Sequence, residues 1–116
     1  MVKFRILKKP RIFSVGKKKN IKIKEIGFIY LKNNEQITII NENKKNYDFV
    51  KKSWGYYATP SINERLKKEG FKTALVKNKY SKYYIMVIDK KKMNNFKKYC
   101  KSEDQNIVEW LDEKKI

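Results

Sequence analysis

From Tyr47 onward, apolar alternation and turn signals fall in the order strand, helix, strand, strand, helix, strand, which leaves few topologies open to the chain. Tyr47, Phe49 and Lys51 alternate with Asp48, Val50 and Lys52 into Trp54 and read as a strand. Thr59-Pro60-Ser61 then opens a short helix. Proline suits the first helical turn, and Ser61 with Glu64 has the spacing of a capping box, although Thr59 serves equally well as the cap. Ile62 and Leu66 form the helix's apolar stripe and Gly70 its stop. Segments 71–76 and 83–88 flank the polar turn Lys77-Asn78-Lys79-Tyr80-Ser81 and predict a hairpin. Asp89 caps a second helix in which Met93, Phe96 and Cys100 recur every three or four residues, and 107–111 is a closing strand. The expectation is an α+β, ferredoxin-like βαββαβ fold over about 47–112, with both helices on one face of an antiparallel sheet.

Upstream, Ile21, Ile23, Ile26, Phe28 and Tyr30 keep a period of two that shifts near Gly27, as in a strand with a bulge. Lys32-Asn33-Asn34-Glu35 is a turn by composition, and 36–40 reads as the returning strand, giving an N-terminal β-hairpin. Residues 1–20 read as a loosely attached basic arm, 21–112 as one domain and 113–116 as a tail.

A net charge of +18 is the electrostatic footprint of phosphate-backbone binding. Its make-up admits a second reading: 27 of the 30 basic residues are Lys and three are Arg, alongside 11 Asn and 14 Ile. All three abundant types have A/T-rich codons, so genome bias raises them together, whereas fixed phosphate geometry favours the Arg fork. Chemistry narrows further, because one Cys and no His leave no plausible zinc site and no internal disulfide. The four glycines stand apart at 16, 27, 55 and 70, so no phosphate-cradling loop is present. No set of residues argues for catalysis, a metal or a cofactor. The lack of a long apolar run predicts a cytoplasmic protein with no membrane segment.

Binding chemistry concentrates where the first expected strand meets the first expected helix. Lys51, Lys52 and Arg65 offer charge, Ser53, Thr59 and Ser61 offer hydroxyls, and Trp54, Tyr56 and Tyr57 offer flat surfaces, next to the positive end of a helix dipole. The same residues also have structural readings: rings in a core, Gly55 in a tight backbone position, Thr-Pro-Ser as a helix start. For nucleic acid, the alternative site is Lys79, Lys82, Tyr83 and Tyr84, without the RNA-recognition signature of glycine followed by spaced aromatics.

Trp54-Gly55-Tyr56-Tyr57-Ala58-Thr59-Pro60-Ser61, with Asn63, Arg65-Leu66, the stretch 70–78 and Glu109-Trp110-Leu111-Asp112, resembles a group of small uncharacterised bacterial proteins carrying a W-G-x-Y-A-T-P-S motif. The similarity spans roughly 21–112 and implies an association with surface-polysaccharide and sugar biosynthesis, but no activity. That group is less basic and often has Gly in place of Glu64, which implies that the charge belongs to this genome. The sequence thus points to a non-enzymatic protein binding an anionic small molecule, or a partner enzyme, at 51–65. An RNA or DNA backbone binder and a structural homodimer module are the alternatives.

Overall fold

The computed structural model describes residues 3–114. Its strands are β1 (Lys3–Val15), β2 (Ile21–Tyr30), β3 (Gln36–Ile40), β4 (Asn46–Lys52), β5 (Gly55–Ala58), β6 (Phe71–Lys77), β7 (Tyr83–Asp89) and β8 (Asn106–Trp110). The helices are the single turn α1 (Arg65–Lys68) and the ten-residue α2 (Met93–Ser102), with 3₁₀ turns at Lys90–Lys92 and Leu111–Glu113. Contacts divide the chain into two compact units, Met1–Thr59 and Pro60–Ile116. The first carries 15 basic and four acidic residues, the second 15 and eight.

The first unit is entirely strand and turn. β1 and β2 form a two-stranded antiparallel ribbon, so residues 1–20, expected as a loose arm, contain a 13-residue paired strand, while Met1 and Val2 lie outside the described residues. The register jumps between Ile6↔Gly27 and Arg11↔Glu25, which sets residues 7–10 of β1 against Ile26 alone. The irregularity thus lies in β1, opposite Ile26, rather than in β2. It accommodates Pro10, which has no N–H for the ladder. Gly27 marks a close approach, since a Cβ there would collide with the Arg5 carbonyl oxygen and sit 3.2 Å from the Ile6 Cα. We expect Gly27→Ala to lower stability by about 1–3 kcal/mol, as overpacking against backbone does, read as a shifted denaturant midpoint.

β3, β4 and β5 form the second sheet in that order. Here the expected hairpin over 21–40 is corrected: β2 pairs with β1, and β3 pairs with β4 through the register Ile37↔Phe49. The turn at 32–35 lies along β4, where the Asn34 amide donates to the Lys51 carbonyl (2.7 Å) and the Lys51 amide donates to that of Glu35 (3.1 Å). The chain also reverses where a strand end was expected. Lys52 pairs with Gly55 across the two residues Ser53 and Trp54, and Gly55 holds φ +145°, a conformation open mainly to glycine.

That reversal overturns the ferredoxin-like fold. A βαββαβ sheet needs 47–52 beside the later strands, yet β4 has β3 on one edge and β5 on the other. β8 pairs with β6 instead, and the third sheet runs β7-β6-β8, all antiparallel. The chain is mostly β, in three small sheets, and among the described residues only α2 is longer than one helical turn. The helix expected at 59–70 shrinks to α1, because Ser61 binds past the first turn: its Oγ accepts from the Arg65 amide (2.9 Å) and its carbonyl from that of Leu66 (3.0 Å).

In the second unit, α2 covers one face of the sheet. Ala74, Val76, Ile88, Phe96 and Cys100 are buried there, with Met86, Met93, Ile107 and Trp110 packed around them. The Asp89 carboxylate starts the helical region by accepting from the Lys91 amide (3.0 Å). At the end of β8 the ladder stops and a side chain takes over. Asp112, 1 % exposed, accepts from the Thr73 amide through Oδ1 (3.0 Å) and from Lys72 Nζ through Oδ2 (2.9 Å). The Lys72 ammonium also lies 4.8 Å from the centre of the Trp110 ring. Of the expected tail, Glu113 belongs to the last 3₁₀ turn, Lys114 pairs with Glu109 (2.7 Å), and 115–116 lie outside the described residues.

Burial alone would raise the Asp112 carboxyl, but the Lys72 hydrogen bond, the Thr73 amide and the Lys72 charge outweigh it and hold the group below its ordinary value. A depressed folded-state pKa gives stability that is complete above the unfolded value of about 3.9 and is lost as pH falls through the folded one. Acid unfolding below about pH 4 should therefore be shallower in Asp112→Asn than in the parent. Asp112→Ala, which leaves Lys72 without its buried partner, should cost about 3–5 kcal/mol at neutral pH. Thermal unfolding across the acid range checks both.

Candidate functional site

The β4–β5 hairpin sets the geometry of the 51–57 segment. Strand alternation puts Val50, Lys52 and Tyr57 on one face and Lys51 and Tyr56 on the other, with Lys51 directly across from Tyr56. At the tip Trp54 stacks on Tyr57, with centroids 5.9 Å apart and planes 10° from parallel. This pair is not core: Trp54 is 69 % exposed, and Tyr56, on the opposite face, is 72 % exposed.

Both lysines beside the rings have their ammonium groups held. Lys51 Nζ donates to Asn33 Oδ1 (2.7 Å) and to the Lys52 carbonyl (2.9 Å), and Lys52 Nζ donates to Asn34 Oδ1 (2.5 Å). These acceptors are neutral amide oxygens, so the groups are oriented without their charge being cancelled. Asn33 and Asn34 were legible in the sequence only as turn formers, and their role depends on a turn-to-strand pairing that no local pattern carries.

Thr59 has a structural task. Its Oγ1 donates to Asp48 Oδ2 (2.5 Å) and its amide to the Asp48 carbonyl (3.0 Å), and Gln36 Nε2 reaches the same carboxylate oxygen (3.1 Å). Asp48 is buried, and burial first and the Asp48 charge second push the neighbouring Tyr47 phenol above its ordinary value. Ser61 and Arg65 belong to the second unit, where the Ser61 hydroxyl is engaged by the Arg65 amide. A four-residue helix gives little dipole for an anion, which removes the helix-start argument from this segment.

The other candidate set sits on the β6–β7 hairpin. Asn78 organises its turn by accepting from the Tyr80 and Lys82 amides (2.9 and 3.0 Å) through Oδ1, while Lys79 Nζ lies 5.2 Å from the Tyr80 ring centre. Tyr83 and Tyr84 are both exposed but point to opposite faces, Tyr84 sharing its face with buried Val76. Two rings on opposite faces make no common stacking surface.

Cys100 is buried on the inner face of α2, and burial pushes its thiol up, which favours the protonated form. Among the described residues no three His, Cys, Asp or Glu side chains group as a metal site, and no helix is long and apolar enough to cross a membrane. Comparison with protein-family models, curated proteins and solved structures finds no match to this chain.

Two substitutions separate the residues that hold the buried carboxylate from those at the surface. Thr59→Val, which removes a donor to a buried carboxylate, should cost about 1.5–3 kcal/mol in a urea titration. Lys52→Gln should stay within about 0.5 kcal/mol of the parent, as a surface change does.

Proposed function

We propose that this chain is a non-enzymatic binding protein whose anionic ligand, a nucleotide or sugar phosphate, docks at the β4–β5 hairpin tip. One observation carries the reading: an exposed Trp54–Tyr57 stack shares its face of the hairpin with Lys52, whose ammonium group is oriented by the neutral amide of Asn34. The rings suit a base or sugar, and the lysines suit a phosphate. Lys52, Trp54 and Tyr57 form the site on one face, Lys51 and Tyr56 flank it on the other, and Thr59 is held by Asp48.

A partner enzyme carrying such a ligand fits the same surface. The resemblance around the W-G-x-Y-A-T-P-S stretch supports a role as a cytoplasmic accessory of sugar or polysaccharide biosynthesis. A homodimer belongs to the same reading.

The test is thermal unfolding with UDP-glucose and with a hexose phosphate. Ligand at about 100 times its Kd should stabilise the protein by about 2.7 kcal/mol. Trp54→Ala should abolish the shift, Lys51→Gln with Lys52→Gln should weaken it, and Arg65→Ala should leave it intact. A shift that survives Trp54→Ala, or no shift with either ligand, would refute the site.

A further inference from the structure

We infer that the β1–β2 ribbon is a second binding surface, one that takes single-stranded nucleic acid on its cationic, aromatic face. Regular alternation along β2 brings Lys22, Lys24, Ile26, Phe28 and Tyr30 to one face. The register adds Arg5 opposite Phe28 and Lys3 opposite Tyr30. Phe28 is 39 % exposed and Tyr30 53 %, and the four cations are exposed as well. The Arg5 guanidinium lies 5.9 Å from the Phe28 ring centre, so charge and ring are presented together.

The charge is one-sided. From Lys3 to Lys24 the sequence holds ten basic residues and no acidic one, and two of the chain's three arginines, Arg5 and Arg11, lie in this stretch. A polyanion is the complementary partner. Exposed rings flanked by cations choose among polyanions, because an unpaired strand offers bases for stacking while its backbone runs along the charges. A duplex keeps its bases stacked on one another and has no use for Phe28 and Tyr30. This face lies on a different sheet from the hairpin tip and does not depend on the tip's ligand.

The experiment is fluorescence anisotropy with a labelled oligothymidylate of about 20 nucleotides, longer than most single-fold site sizes, titrated at several salt concentrations. With four phosphate contacts the slope of log K against log salt should be about −3, and Lys22→Gln with Lys24→Gln should reduce its size by about 1.4. Phe28→Ala with Tyr30→Ser should weaken binding about tenfold or more while leaving the slope unchanged, because stacking carries no counterion term. Circular dichroism confirms that each variant folds, and the exposed lysine pair keeps the test decisive if the aromatic pair does not. A loss of oligothymidylate affinity in Trp54→Ala as large as that of the Phe28/Tyr30 pair would put the strand at the hairpin tip and also overturn the inference. The inference is overturned by an absence of binding at low salt or by affinity and slope indifferent to the lysine pair. It is equally overturned by a duplex or anionic vesicles binding as tightly as the single strand.

Discussion

A strand offers two rows of backbone hydrogen-bonding groups, and in β4 both rows are taken by its neighbours in sequence, β3 and β5. That single constraint decides the architecture. With no edge left on β4, the segment beyond Thr59 assembles its own sheet around β6, where a hairpin supplies one neighbour and the returning β8 the other. Two units of under 60 residues follow, each with limited capacity to bury apolar surface. The core reflects this: among the described residues seven hydrophobic side chains are buried, and five of them belong to the cluster between α2 and its sheet.

Small cores leave polar interactions to complete the packing, and each unit contains a buried carboxylate with a defined set of donors. Asp48 gathers Gln36 and Thr59 at the join of β4 and the end of β5. Asp112 takes an amide and an ammonium where the β6–β8 ladder ends, in effect extending the ladder with a side chain. Burying a carboxylate is costly unless its lone pairs are filled, so both residues specify geometry more than they add stability. The Lys72 that serves Asp112 also lies against Trp110, which ties the last strand to the carboxylate that follows it.

The second unit was the more legible half. The turn around Asn78, the Asp89 start and the Met93–Phe96–Cys100 spacing are local signals, and they produced a hairpin and an amphipathic helix at those positions. Pairing partners were not legible, because alternation says that a segment is a strand but not which strand it meets. Ile21 to Tyr30 read as the partner of 36–40 in a local hairpin, and nothing in their alternation points to residues 3–15, which they meet instead. Trp54-Gly55 reads as a strand end in sequence, and only the structure shows the reversal there, with Gly55 at φ +145°. Of the candidate site, the exposed rings and lysines could be named from sequence, whereas the commitment of Thr59 to Asp48 and of the lysines to Asn33 and Asn34 arises only from the pairing.

The β1–β2 ribbon has a consequence for how copies of this protein meet. A two-stranded sheet leaves one edge of each strand without a strand partner, and one face of this ribbon exposes Phe4, Ile6, Phe13, Ile23 and Ile29. Such an edge is a template for strand addition by another chain. Lysines along the same strands make each approaching copy a like charge, so repulsion keeps the ribbons apart for as long as the ions around them are dilute. The state of dispersion of the protein is then set by ionic strength: the Debye length, about 10 Å at 0.1 M salt and about 3 Å at 1 M, decides whether a neighbouring ribbon meets a repulsive field or a sticky edge.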